Sequence, residues 1–103
     1  MKLDISAEHL VEINNILKTC VPNREVVAFG SRVKQMASPT SDLDLCVMGD
    51  MSLSFSELAE LRLAFSESDI PYRVDIVDWA TTNIDFQDII QRDAVVIYSP
   101  LKC

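Results

Sequence analysis

The fold of this chain is decided by residues 25–48, which read EVVAFGSRVKQMASPTSDLDLCVM. The segment Glu25 to Phe29 has the length and the apolar, β-branched content of a short buried strand. Gly30 and Ser31 follow it directly, and a polar stretch then leads to a second, alternating segment from Leu43 to Met48. The pattern therefore predicts two strands joined by a tight turn and a polar loop.

The segments around this stretch carry helical signals. Ser6 can cap a first helix that runs to about Cys20, and Ser54 with Glu57 forms a capping box that opens a second helix. Helical spacing predicts four inward-facing side chains for the second helix. They are Phe55, Leu58, Leu61 and Phe65.

The last third of the chain supplies further strands and a helix. The segment Tyr72 to Asp78 is rich in β-branched residues, and the segment Ala94 to Tyr98 reads as a final strand. Between them a last helix begins near Asn83, with Phe86, Ile89 and Ile90 as its expected core face. We therefore predict that residues 1–103 form one α/β (α+β) domain with a small mixed β-sheet and covering helices.

Charge and cysteine usage limit the function classes. The chain has a net charge of −7, with 9 basic and 16 acidic residues, and this balance disfavours direct binding of nucleic acid. A nucleoside triphosphate would need a divalent cation to bind such a protein. The odd cysteine count fits a reducing compartment, and no apolar run suits a signal peptide or a membrane span. We expect a cytoplasmic protein without membrane contact.

Two carboxylates in the second strand predict a metal site. Side chains alternate between the faces of a strand, so Asp42 and Asp44 share one face while Leu43 and Leu45 point to the core. Their Cα atoms would lie about 6.6 Å apart, at ~3.3 Å per residue, a spacing that suits a cation between them. Hard oxygen ligands of this kind favour Mg²⁺, which also coordinates substrate phosphates.

A third carboxylate, Asp75, interrupts the apolar strand that includes Val74 and Ile76. A carboxylate in such a strand is costly unless it is paired or binds a metal. If this strand lies beside the second strand, Asp42, Asp44 and Asp75 converge, as two-metal phosphoryl transfer requires. Asp78 is a rival for the third carboxylate, but the same alternation places it on the opposite face from Asp75.

Gly30 and Ser31 are suited to a phosphate ligand. Glycine lets a phosphate approach the backbone closely, and Ser31 can donate its hydroxyl and its N–H. If Arg32 starts a short helix, the N-terminus of that helix adds a dipole that favours an anion.

FGSR at residues 29–32 and SDLDL at residues 41–45 together resemble a known signature. A Gly-Ser pair, a gap of ten residues and an Asp-x-Asp pair characterise the DNA polymerase beta nucleotidyltransferase superfamily, and the short chain is similar to its minimal nucleotidyltransferase branch. One departure is visible, since the family often has a glycine where this chain has Gln35. The resemblance implies the polymerase-beta-like nucleotidyltransferase fold.

The resemblance also implies roles for single residues. Gly30, Ser31 and Arg32 would hold the triphosphate of ATP. Asp42 and Asp44 would bind two Mg²⁺ ions. Asp75 would complete the second metal site and help to activate the acceptor hydroxyl, so that all three carboxylates are expected to be catalytic.

The resemblance further implies a partner, because stand-alone minimal nucleotidyltransferases are commonly paired with a HEPN-domain toxin. The chain would then be an antitoxin and a protein adenylyltransferase that moves AMP from ATP to a hydroxyl of the toxin, a tyrosine in the main hypothesis. Two alternatives stay open. The chain could neutralise a toxin by binding alone, or it could modify a small molecule such as an antibiotic with the help of a partner subunit.

Overall fold

The computed structural model describes residues 3–33 and 41–100. Within these residues the chain forms three α-helices, one short 3₁₀ helix and four strands. In chain order they are α1 (Ala7–Cys20), β1 (Val26–Phe29), β2 (Leu43–Val47), α2 (Phe55–Ser66), β3 (Val74–Asp78), the 3₁₀ helix (Trp79–Thr81), α3 (Ile84–Asp93) and β4 (Val95–Tyr98). The predicted order of helices and strands is confirmed, while the path of the polar loop at residues 34–40 lies outside the described residues.

The helices begin where their capping residues predict. The side chain of Ser6 caps α1, and Asn83 caps α3 through its Oδ1. The capping box of α2 is complete, since the Glu57 N–H donates to Ser54 Oγ at 3.0 Å and the Ser54 N–H donates to Glu57 Oε1 at 2.8 Å. These bonds satisfy N–H groups that the first helical turn leaves without partners. Among the described residues, no helix combines the length and the hydropathy that a bilayer span requires.

The four strands form one mixed sheet in the order β3–β2–β1–β4. β1 pairs antiparallel with both β2 and β4, whereas β2 and β3 are parallel. A parallel pair needs a crossover connection, and α2 supplies it. The predicted α/β class and mixed sheet are confirmed, and β2 lies inside the sheet with a neighbour on each side.

The two faces of the sheet have different coverings. α1 and α2 cover one face and form the larger core with it, and α3 covers part of the other face. The larger core includes Ile13, Leu17, Leu43, Leu45, Leu61 and Phe65. The smaller cluster consists of Val27, Phe29, Cys46 and Ile90. As the alternation predicts, Leu43 and Leu45 are fully buried in the core, and Asp44 faces the α3 side.

Three side chains that were expected to be buried are exposed. Phe55 is 89% exposed at the first position of α2. Leu53, two residues upstream, is buried in the core at this end of the helix. Phe86 and Ile89 of α3 are 36% and 47% exposed, since only Ile90 of this helix is fully buried. The inward face predicted for α2 is therefore wrong at its first residue, and that predicted for α3 is wrong at two of three positions.

Truncation of Leu61 and of Phe55 should have opposite consequences for stability. Leu61→Ala removes a fully buried side chain from the core and should lower the free energy of unfolding by about 2–5 kcal/mol. Phe55→Ala should change it by less than about 0.5 kcal/mol, because the ring is almost fully exposed. Urea unfolding followed by circular dichroism measures both changes. A large loss of stability in Phe55→Ala would show that this ring packs against the core after all.

Candidate active site

Asp44 stands at the junction of three strands. In the register of the sheet it lies opposite Phe29 of β1 and opposite Asp75 of β3. Neighbouring strands are about 4.8 Å apart, so the two carboxylates are close neighbours on the same face. Asp42 precedes β2 and is exposed. The adjacency that the sequence predicted for Asp44 and Asp75 follows directly from the parallel pairing of β2 with β3.

The three carboxylates interact electrostatically. Burial raises the pKa of Asp44 above its ordinary value, and the negative charges of Asp75 and then Asp42 raise it further. Arg73 pairs with Asp75 at 3.1 Å between Nε and Oδ1, but both side chains are partly exposed, so the ion pair is weak. The corner around Asp44 is therefore a concentration of negative charge that a bound cation would relieve.

As the side chains stand in residues 3–33 and 41–100, no three His, Cys, Asp or Glu groups converge into a set that could hold a metal ion. Asp75 is paired with Arg73, and Asp42 is exposed. The donors are nevertheless all carboxylate oxygens, the type that Mg²⁺ prefers. Since Mg²⁺ is usually bound by one or two carboxylates together with substrate phosphates, the residues fit a cation that arrives with a nucleotide.

Gly30 brings the turn after β1 against Asp44. Its φ is +86°, in the left-handed region that favours glycine, and a Cβ at this position would collide with the Asp44 carboxylate. The turn continues through Ser31 to Val33, whose N–H donates to the Gly30 carbonyl at 3.1 Å. Glycine is thus required both by the turn and by the close approach of Asp44, which places the Gly-Ser pair beside the carboxylates.

The side chain of Arg32 is held by contacts within the protein. Its side chain is 5% exposed, and its guanidinium donates to the carbonyl of Ser41 at 2.9 and 3.0 Å and to that of Asp4 at 3.0 Å. The same group lies over the ring of Tyr72, with Cζ 3.8 Å from the ring centre. These hydrogen bonds assign the side chain to contacts within the protein, and the part expected for Arg32 in holding the triphosphate stays a prediction. A helix after Arg32 would fall on residues 34–40, outside the described part of the chain.

A cleft of about 510 Å³ opens between the sheet and α3. This volume lies within the usual range for small-molecule sites. One wall carries Asp44 and Asp75, and the other carries the exposed side chains of α3. The lining residues are Phe29, Gly30, Asp44, Asp75, Ile76, Val77, Phe86, Ile89 and Asp93. Sequence reasoning did not assign Phe86 and Ile89 to this cleft, since their helical spacing is the same for a core face and for a cleft wall.

Comparison with known proteins identifies the family of this chain. The family model described as polymerase beta nucleotidyltransferase matches residues 11–102. The chain belongs to this nucleotidyltransferase family. A probable protein adenylyltransferase, MntA, of Haemophilus influenzae is 50% identical over 101 residues, which are 98% of this chain and 89% of that protein.

Solved structures show the same nucleotidyltransferase fold. A crystal structure of a toxin–antitoxin with AMP-PNP superposes with a TM-score of 0.74 at 20% identity, covering 87% of this chain and 73% of the other. A crystal structure of the toxin–antitoxin MntA–HepT has a TM-score of 0.69 at 18% identity, covering 91% and 73%. At these identities the likeness establishes the fold, and the expected polymerase-beta-like fold is confirmed.

Asp78 and Cys46, two further polar residues of the nucleotidyltransferase domain, have structural roles. Asp78 lies on the opposite face from Asp75, as the alternation predicts, and it accepts the N–H of Leu53 at 2.8 Å and that of Ala80 at 3.2 Å. Cys46 shares the strand face of Asp44 but is fully buried, and burial, with the nearby charge of Asp78, raises the pKa of its thiol to about 12. Neither residue is placed to act on a ligand in the cleft.

The raised pKa of Asp44 predicts that this residue destabilises the fold at neutral pH. The folded chain holds the Asp44 proton more readily than the unfolded chain, so stability falls as pH rises from the ordinary value of 3.8 through the raised value. At pH values above the raised pKa of Asp44, the full destabilisation by its ionised carboxylate remains. Asp44→Asn should therefore have a higher free energy of unfolding than the wild type at pH 7, and this advantage should shrink as the pH approaches 3.8.

Urea unfolding at pH 7 and at two lower pH values measures this difference. Asp50→Asn is the matched control, because Asp50 is exposed in the turn after β2 and should show no comparable gain. A loss of stability in Asp44→Asn at pH 7 would mean that the Asp44 carboxylate is stabilised by its surroundings, contrary to the geometry described above.

Proposed function

We propose that this chain is a protein adenylyltransferase that transfers AMP from ATP to a hydroxyl group, a tyrosine, of a HEPN-domain toxin and thereby acts as its antitoxin. The observation that carries the proposal is the 50% identity with a probable protein adenylyltransferase along nearly the whole chain. The carboxylates of Asp44 and Asp75, set side by side next to the Gly30 turn, support it. Residues 1–103 act as one catalytic domain in this proposal, and the cytoplasm, where ATP is available, is the compartment.

The turn after β1 would hold the triphosphate. Gly30 allows a phosphate to approach the backbone, and Ser31 can donate its N–H and its hydroxyl to phosphate oxygens. ATP as the nucleotide is supported by the AMP-PNP in a complex of the same fold. The cleft beside the turn has room for the nucleoside, with an apolar wall formed by Phe86 and Ile89.

The carboxylates would serve the reacting phosphate. Asp42 and Asp44, joined by Asp75, would hold two Mg²⁺ ions together with the phosphate oxygens. Bound Mg²⁺ supplies charge neutralisation for the triphosphate and for the leaving pyrophosphate. The repulsion of Asp44 by Asp75 and Asp42 supports this role, since each negative charge strengthens the electrostatic attraction of a cation to the site.

Asp75 would face the acceptor. In the transfer, the acceptor oxygen forms a bond to the α-phosphorus, the bond from that phosphorus to the pyrophosphate oxygen breaks, and pyrophosphate leaves. The hydroxyl proton passes to a carboxylate, and Asp75 is suited to accept it because its side chain lines the cleft and is partly exposed. The reacting atoms must be held about 3–3.5 Å apart, and a docked partner that presents a tyrosine meets this need.

The parts assigned to Asp75 and Asp78 can be separated by kinetics. Asp75→Asn should reduce kcat for AMP transfer by ~10²-fold or more while ATP binding is largely retained, because the lost group serves the acceptor. Asp78→Asn should lower the stability of the fold, through its bonds to Leu53 and Ala80, and should change kcat much less at conditions where it is folded. The reverse order of kcat values would make Asp78 the residue that serves the reaction.

The partner reaction is tested with the cognate toxin. Incubation of the wild-type chain with ATP, Mg²⁺ and the HEPN toxin should raise the mass of the toxin by one or more AMP units, measured by intact-protein mass spectrometry. The double variant Asp42→Asn, Asp44→Asn should not add this mass and should fail to relieve toxicity in cells. If the folded double variant protects cells as well as the wild type, neutralisation depends on binding alone and the catalytic proposal is overturned.

A further inference from the structure

Arg32 is the only charged residue that is buried among the described residues. A buried charge is costly unless hydrogen bonds compensate it, so the contacts of its guanidinium show what the fold gains from it. Two of its nitrogens, Nε and Nη2, donate to the same carbonyl, that of Ser41, and Nη1 donates to the carbonyl of Asp4. The group lies over the ring of Tyr72.

These contacts join the three segments that carry the proposed site. Gly30 and Ser31 directly precede Arg32 in the chain. Ser41, whose carbonyl receives two of the hydrogen bonds, directly precedes Asp42. Tyr72, under the guanidinium, leads into the strand that carries Asp75.

The strands themselves meet at the same point. The N–H of Leu43, at the start of β2, donates to the carbonyl of Arg73 at 2.9 Å, directly before the start of β3. The side chain of Arg32 therefore contacts both Ser41, which precedes Asp42, and Tyr72, which leads into β3. In addition, the backbone carbonyl of Arg32 accepts the N–H of Asp4 at 2.8 Å. The side chain is in turn held against the N-terminal segment.

We propose that Arg32 is a positioning residue of the transfer reaction, which fixes the starts of β2 and β3 against the Gly30–Ser31 turn and so sets the distance between the phosphate-binding turn and the carboxylates. The proposal rests on the function proposed above. It assigns Arg32 an effect on geometry, with no contact to the nucleotide. A misplacement of about 1 Å is enough to cost two orders of magnitude in rate, so the fixed distance matters for transfer.

The contacts require an arginine. A guanidinium is planar and presents several N–H donors in a fixed fork, so it can give two bonds to one carbonyl, a third to another, and still stack on an aromatic ring. A lysine ammonium keeps the charge but cannot stack in this way or hold both carbonyls in the same geometry. Arg32→Lys therefore removes the clamp while it leaves the positive charge in place.

Arg24 offers a matched control. Its guanidinium also donates to two backbone carbonyls, those of Met48 and Met51, at 2.7 Å each. These carbonyls lie beyond the other end of β2, away from Asp42. Arg24→Lys thus removes a similar pair of hydrogen bonds without touching the segments that Arg32 joins.

Two measurements test the proposal on the full chain. Hydrogen exchange should show the amide of Leu43 exchanging about tenfold faster or more in Arg32→Lys than in the wild type, and unchanged in Arg24→Lys. In AMP transfer to the toxin, Arg32→Lys should lower kcat by about tenfold or more, with the KM for ATP changed by less than about threefold. Arg24→Lys should keep both constants when assayed under conditions where it is folded.

The outcomes distinguish three parts for Arg32. A tenfold rise in the KM for ATP with unchanged kcat would make it a nucleotide ligand and overturn the proposal. Equal exchange and equal kcat in Arg32→Lys and Arg24→Lys would reduce it to a contributor to overall stability, which also overturns it. If the wild-type chain transfers no AMP, the proposed function fails, and the exchange measurement still decides whether Arg32 fixes the strand starts.

A pair of Tyr72 variants provides a second test that does not depend on the folding of Arg32→Lys. Tyr72→Phe keeps the ring under the guanidinium and should behave as the wild type in Leu43 exchange and in kcat. Tyr72→Leu removes the ring and should move both in the direction of Arg32→Lys. If the Leu and Phe variants behave alike, the stacking on Tyr72 has no part in positioning, and the proposed link to the start of β3 is wrong.

Discussion

The parallel pairing of β2 with β3 is the constraint on which the rest of the structure depends. It sets Asp44 opposite Asp75 and at the same time places Leu45 opposite Ile76 on the other face. The carboxylates repel each other, and Asp44 is partly desolvated. Burial of the apolar partners under α1 and α2 offsets this repulsion, because the same strands supply the central side chains of the core.

This constraint divides the molecule by the faces of its sheet. One face is covered by two helices and carries the larger core, and the other is only partly covered by α3. Because α3 buries Ile90 but leaves Phe86 and Ile89 at the surface of the cleft, a space remains beside Asp44 and Asp75. The face that carries the larger core and the face that lines the cleft are therefore the two sides of the same pair of strands, and alternate residues of each strand point to them.

Much of this could be predicted from the sequence, for identifiable reasons. The helix caps at Ser6 and Ser54 are local hydrogen bonds, and the alternation that separates Asp44 from Leu43 and Leu45 is a property of any strand. The exposure of Phe86 and the burial of Arg32 could not be predicted in this way. Both depend on contacts between segments that are distant in the sequence. The exposure of Phe86 depends on how much of the sheet α3 covers, and the burial of Arg32 depends on the positions of Ser41 and Tyr72. The helical period and the presence of a charge do not contain that information.

Arg32 and Asp44 are both charged side chains next to the Gly30–Ser31 turn, but their surroundings differ. Burial and the charges of Asp75 and Asp42 raise the pKa of Asp44, so the surroundings of this carboxylate disfavour its ionised form. The guanidinium of Arg32 donates hydrogen bonds to the backbone carbonyls of Ser41 and Asp4, which carry no net charge. Among the described residues, the one buried cation therefore contacts the backbone next to the start of β2, and in the proposed function the negative charge of the carboxylates is balanced by a cation that enters with the substrate.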